Sequence, residues 1–328
     1  MASFTPPPLT PIRDIGRKVT WPFVLLILLG SSLIFILVPV LAIDWVQRVP
    51  FPSVLVAPNL LVSDAAANDW GPTPQLAVLD HIIAVNDTPV GDQIAYDQAL
   101  IAAQARGDDR VRLTSERAPS VNSLPCGALQ ANGLYRCEST PLLRRLSSSE
   151  FASFFLLPYG LGLIYLLIGL WVFRQRGNRR ASQALALFAS CASLILATYF
   201  DGFTTNRLQG LALLAMGATS GAILSLSVIF PQVARQIERR PLVRFAGYLP
   251  GLVLAAIAIP TLWWASDPWA YVTWQRWLLA LLGCSIPVLI GMQVYRQLRS
   301  DSPIVRRIIQ WLTVRGSSRG SFDADAPC

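Results

Sequence analysis

Leu76 to Val90 reads LAVLDHIIAVNDTPV, the densest strand-and-turn signal outside the long apolar runs of this chain. Ile82, Ile83 and Val85 make a β-branched core suited to a strand. Asn86 and Asp87 then supply two residues that tolerate positive φ ahead of Pro89 and Val90, the requirement of a tight turn. Downstream, between Asp92 and Arg106, Ile94, Leu100, Ile101 and Ala105 are consistent with a short helix. Val111 and Leu113 alternate with Arg110, Arg112 and Thr114, the pattern of a half-buried strand. Upstream, Val54 to Val56 and Leu60 to Val62 have strand character and are separated by Pro58 and Asn59, and a turn-rich stretch (Asn68, Asp69, Gly71, Pro72, Pro74) follows. The order strand, strand, turn, strand, helix, strand predicts a small α+β domain.

What surrounds that domain is apolar. Of 328 residues, 53% are hydrophobic and 14% charged, an excess that puts the chain in the membrane class. A helix crosses a hydrocarbon core with about 20 apolar residues. Six runs free of charged residues qualify: Trp21 to Ile43, Phe151 to Phe173, Ala181 to Phe200, Leu208 to Phe230, Phe245 to Ala265 and Trp277 to Tyr295. The first could also be a signal peptide, with Val40 and Ala42 as the small residues before a cleavage site. Its apolar core is longer than the ~7–15 residues usual there, which favours an uncleaved anchor.

The net charge of +8 is carried almost entirely by arginine, Lys18 being the sole lysine. These cations gather at the ends of the apolar runs, so membrane topology explains them more simply than phosphate binding, and no nucleic-acid partner is expected. Three precede Trp21, four lie in Arg174 to Arg180, four in Pro231 to Arg244 and six after Tyr295, whereas the intervening short loops hold one each, Arg207 and Arg276. The positive-inside rule then puts the N-terminus in the cytoplasm and residues 44–150 outside a bacterial cytoplasmic membrane. Trp45, Trp269, Tyr271 and Trp274 would fall at the outer interface. Cys126 and Cys137 are the only cysteines of the 44–150 segment. They suit one disulfide in an oxidising compartment, the alternative being two unpaired thiols in a flexible loop. Cys191 and Cys284 lie within spans and are expected to be packing residues.

Leu76, Asp80, Ile82, Val85, Asn86, Pro89 and Val90 fall in the spacing of the second half of a bacterial PDZ domain, which this stretch resembles. Gln75 and Asp87 stand where that pattern has glycine. The wider layout also includes Asn59-Leu60 and Trp70-Gly71-Pro72 upstream, and Ser302-Pro303, Arg306, Arg307 and Gln310-Trp311 after the last span. It is similar to the membrane sensor region of bacterial histidine kinases of the competence-pheromone receptor type. The resemblance implies a sensor of a two-component system, with a cytoplasmic kinase or response-regulator partner. It also implies a peptide groove lined by Leu60, Leu61, Val62, Ile94 and Leu100, since PDZ domains add a peptide strand there. The family's kinase region is absent from these residues. The only histidine, His81, lies in the extracytoplasmic domain as a solvated strand residue, with a pH-sensing role as the sharper alternative.

Enzyme chemistry finds no support. One histidine cannot supply His-Glu-x-x-His for zinc. Ser220, between Gly217 and Gly221, has no His or Lys in any span to deprotonate it. The spans hold no carboxylate pair for an aspartyl protease and no ionisable pathway for a transporter. Gly217 and Gly221 instead predict close helix contact through a small-xxx-small face, and Pro158, Pro250, Pro260 and Pro287 predict kinks. No Gly-rich phosphate loop occurs, so no nucleotide, metal or other cofactor is expected.

The expected fold is thus a six-span helical membrane protein with one PDZ-like extracytoplasmic domain. Its parts are a disordered tail (1–20), a first span (21–43), the domain (44–150) and a five-helix bundle (151–295). A cytoplasmic segment (296–328) closes it, in which Ile304, Ile308, Ile309, Trp311 and Leu312 with Arg306, Arg307 and Arg315 make either a basic amphipathic helix or a linker. The expected function is a non-catalytic sensor module binding a peptide, protein or small ligand, its other contact being membrane lipid. The competing expectation is a structural or assembly subunit of a membrane complex; a third is a shortened relic of a longer receptor.

Overall fold

A computed structural model describes residues 12–63, 76–119, 126–177, 179–229, 246–264 and 267–299. The turn-rich stretch 64–75, the basic loop 230–245 and everything after residue 299 lie outside the described residues, and with them Trp70-Gly71-Pro72 and the Ser302 to Trp311 segment. The chain is mostly helical, with five helices long and apolar enough to cross a membrane and one small antiparallel sheet.

The first helix, α1 (Ile12–Arg48), is longer at both ends than its apolar run. It takes in residues 12–20, expected to belong to a disordered tail, and continues to an Asp44–Arg48 ion pair one turn apart. The sheet follows. Strands β1 (Val56–Ala57), β2 (Leu61–Val62), β3 (His81–Val85), β4 (Thr88–Pro89), β5 (Leu113–Arg117) and β6 (Tyr135–Ser139) run in the order β1-β2-β3-β5-β6, with β4 folded back on β3. Helix α2 (Gln93–Ala105) covers one face, its first turn capped by the Asp92 carboxylate accepting from the Ala95 N–H. The hairpin is closed by Asn86 (φ 48°) and Asp87 (φ 64°). Both central residues of a two-residue hairpin turn need positive φ. Asp87 manages without glycine because Arg112 pairs with its carboxylate, while the Asn86 side chain accepts from the Arg112 N–H at 2.7 Å. Cys126 and Cys137 are joined as a disulfide with Cα atoms 5.3 Å apart.

Two buried charges hold the stretch from Ala77 to Asp80 to the far end of the sheet. Asp80 Oδ1 and Oδ2 accept from Arg117 Nε and Nη2 at 2.7 and 2.8 Å, and Oδ2 also accepts from the Ala77 N–H. The Asp80 side chain is 0% exposed and that of Arg117 5%. A short two-sided fork of this kind is the strongest form of charged hydrogen bond.

Phe51, just after α1, pairs its backbone with Arg144, and the Arg144 guanidinium lies over the Phe51 ring and binds Glu150. Glu150 belongs to α3 (Ser148–Phe151), capped by Ser147. One π-helical turn (Ala152–Leu156) then leads into α4 (Leu157–Arg176). The wide turn sits just ahead of Pro158, which has no N–H to donate and whose ring crowds the preceding turn.

Helix α5 (Arg180–Ala197) packs against α1, α4 and α6 (Gln209–Ile229), and α6 packs against α7 (Leu249–Ala258) and α8 (Ala270–Arg299). Gly217 of α6 and Gly251 of α7 meet backbone to backbone, so a Cβ on either would fall 2.2–2.3 Å from the other's carbonyl oxygen. A Cβ on Gly221 would fall 2.6 Å from Tyr248. Ser220 donates to the Gly217 carbonyl. The small-residue face therefore serves close approach.

The fifth apolar run differs from expectation. Its helical stretch, Ala246–Leu262, is shorter than the five long helices. Pro260 cannot continue the α-helical ladder and opens a 3₁₀ turn instead. Cys191 is buried, whereas Cys284 faces outward from α8 and does not pack.

Candidate functional site

The five residues expected to line a peptide groove do not form an open one. Leu60, Leu61, Val62 and Leu100 are core residues, each 5% exposed or less, and Ile94 stands apart at 63%. The strand edge to which a peptide would add is taken by the chain itself: β1 pairs with β2 in the register Val56↔Val62 and Ala57↔Leu61, and β3 holds the other edge. An added strand needs a free row of N–H and C=O groups, and β2 offers none.

The region where the domain meets the helices is more telling. A continuous apolar core runs from Leu60, Val62, Ile82, Leu100 and Leu113 of the domain into Val38, Ala42 and Trp45 of α1, Phe155 and Phe200. Polar contacts rim it. Asn59 sits in the left-handed region (φ 61°), and its side-chain amide donates to the carbonyls of Thr261 and Pro268, both at 3.2 Å. Trp269 donates from Nε1 to the Leu79 carbonyl at 2.9 Å, with its ring edge-on to His81. Leu60 (φ 55°) and Leu79 (φ 69°) are also left-handed. Bulky residues avoid that region, at a cost of about 1–3 kcal/mol each. Both strained leucines therefore lie at or beside the residues that bond Thr261, Pro268 and Trp269.

A second rim faces α1 and the loop between α5 and α6. Trp45 Nε1 donates to Asp97 Oδ2 at 3.3 Å, Gln93 Nε2 to Asp97 Oδ1 at 2.9 Å, and Asn206 Nδ2 to Gln93 Oε1 at 3.2 Å. Burial pushes the Asp97 carboxyl up to about 6 from its ordinary 3.8, against the opposing pull of Gln93, Trp45 and the Arg207 charge. A raised carboxyl favours the docked state when protonated, so this contribution is full below about pH 4 and fades as pH rises through 6. The full-length protein in detergent should therefore melt at higher temperature at pH 5 than at pH 7.5, by the equivalent of about 1 kcal/mol relative to Asp97→Asn. The comparison with Asp97→Asn removes the opposite trend of His81, which burial holds below its ordinary value and which therefore costs stability as pH falls. A melting difference between pH 5 and 7.5 that is the same in both proteins would remove Asp97 from the seam.

His81 is thus half-buried against Trp269 and not a solvated strand residue. Three of the aromatic residues expected at a lipid interface have other uses: Trp45 packs edge-on against Phe200, Trp269 binds the domain, and Tyr271 is buried and accepts from Gln209. Asp97, Gln93, Asn206 and Thr261 were not singled out in the sequence, because each acquires its role from a partner more than fifty residues away. Among the described residues no group of three or more His, Cys, Asp or Glu could hold a metal ion. No protein-family model, curated protein or solved structure matches this chain.

Proposed function

We propose that this chain is a non-catalytic membrane sensor, in which a PDZ-like domain outside a bacterial cytoplasmic membrane relays binding of a ligand or partner to a cytoplasmic kinase or response regulator. The observation that carries this reading is the shared core: domain and bundle are continuous in apolar packing and are stitched at two rims. A domain that merely docked other proteins would have no need to merge its core with Val38, Ala42, Phe155 and Phe200 of the bundle side. The short stretch Ala246–Leu262 serves as the sixth crossing, which returns the C-terminus to the side of the N-terminus. A ligand acts by its different affinity for two arrangements of the domain on the bundle. Its contact is the seam around Asn59, Leu79 and Trp269 and not the closed β2 edge. The resemblance to competence-pheromone receptor sensors supports the choice of signalling over assembly.

The orientation is tested with single cysteines in a background with Cys191, Cys284 and Cys328 replaced by alanine. In intact cells, Asp109→Cys should react with a membrane-impermeant maleimide and Arg176→Cys should react only after permeabilisation. The reverse pattern would remove the sensor reading. Purification in mild detergent then separates the two roles: capture of a kinase or response regulator supports signalling, and a fixed-ratio large complex supports assembly.

A further inference from the structure

The bundle end away from the domain carries a cleft that lies outside the seam. Trp21 of α1, Phe173, Arg174 and Arg176 of α4, and Gly177 and Arg179 of the following turn line a space of about 490 Å³. The buried Gln183 side chain donates to the Gly177 carbonyl at 2.9 Å, and the Arg179 N–H donates to the Arg176 carbonyl at 2.8 Å. Gly177 is buried where a Cβ would fall 2.5 Å from the Phe173 carbonyl, and the Trp21 and Phe173 rings lie 5.6 Å apart as the floor.

Three exposed arginines thus line one cleft, and among the described residues none of them has an acidic partner. The α4 carboxyl end supplies only a partial negative charge to offset them. Planar guanidiniums match phosphate oxygens in pairs. From the cleft an apolar strip continues up α4: Trp171, Leu167 and Ile164, each three or four residues from the next, are 61%, 55% and 54% exposed. Acyl chains would lie along that strip, which a free phosphate ion would leave bare.

We propose that Arg174, Arg176 and Arg179 form a specific site for the phosphate of an anionic lipid, with Trp21 and Phe173 under the headgroup. Basic pockets between membrane helices hold such headgroups, with roughly a fivefold gain in affinity per cation near the surface. The site does not depend on which side of the membrane it faces.

Native mass spectrometry of the full chain, titrated with dioleoylphosphatidylglycerol, dioleoylphosphatidylcholine or inorganic phosphate, tests this. The wild type should retain one phosphatidylglycerol in preference to phosphatidylcholine. The triple variant Arg174→Gln/Arg176→Gln/Arg179→Gln should lose that adduct on the order of a hundredfold. Triple replacement by lysine, which keeps the charge but not the planar fork, should bind between wild type and the glutamine variant, and keeps the test valid if the glutamine variant misfolds. Replacing the exposed Arg110, Arg136 and Arg145 of the domain side by glutamine should change nothing. Equal retention by wild type and the glutamine variant would overturn the site, as would loss of the adduct in the domain-side variant. Binding of inorganic phosphate that phosphatidylglycerol does not displace would overturn the lipid assignment.

Discussion

Asp80→Ala is expected to destabilise the domain by about 3–5 kcal/mol, the cost of leaving a buried charge without its partner. Asp80 accepts both donors of a guanidinium fork and the Ala77 N–H, and neither side chain of the pair reaches solvent to any useful extent. Its removal takes the two-sided fork from the buried Arg117 guanidinium and the acceptor from the Ala77 N–H together. Asp80 also fixes the backbone around it, since its carbonyl accepts from the Val62 N–H and the adjacent Leu79 N–H bonds the Val62 carbonyl. The damage should therefore spread from β3 to β2 and to the seam. In full-length protein, near-UV circular dichroism should show an earlier transition and the domain should become open to protease. Asp80→Leu combined with Arg117→Met should recover most of the loss, because two apolar side chains in that space leave no charge uncompensated. If Asp80→Ala alone melted like the wild type, the buried pair would not be what anchors this end of the sheet.

Leu76 to Val90 is legible in the sequence because its information is local. The β-branched residues and the Asn86-Asp87 turn each act within a few positions, and each is found where its chemistry puts it. Long apolar runs are legible for the same reason, as composition alone makes a helix long enough to cross a membrane. Gly217 and Gly221 revealed a close contact but not its partner, Gly251 or Tyr248. The fifth run looked long enough by composition, but Pro260 shortens the helix from within. The groove was misplaced because the resemblance supplied the strand and not its neighbour: that β1 occupies the β2 edge is a fact of topology. The seam was illegible altogether, since Asn59 and Pro268 are 209 residues apart and Leu79 and Trp269 are 190 apart. Nothing in the spacing of such residues links them.

Removing the seam's hydrogen bonds without disturbing its packing should have the second large effect. Asn59→Gly deletes two amide bonds, and glycine accepts the φ of 61° without strain, so the folded backbone at this position need not shift. Trp269→Phe keeps a ring against His81 and deletes the donor to Leu79. Three hydrogen bonds at about 1 kcal/mol each amount to about 3 kcal/mol, on the order of a hundredfold in the local opening equilibrium. Because Leu60 and Leu79 are held in strained conformations at this contact, their relaxation should add to the opening.

Hydrogen–deuterium exchange on the full-length Asn59→Gly/Trp269→Phe protein in lipid nanodiscs tests the coupling of domain and bundle most directly. Faster exchange is expected on both sides of the seam, at the Val62, Leu79 and Asp80 amides and at Leu262 to Trp264, with the change continuing to Gly177 and Arg179 at the far end of the bundle. Faster exchange confined to the domain, with the helices and the far turn exchanging as in the wild type, would contradict it.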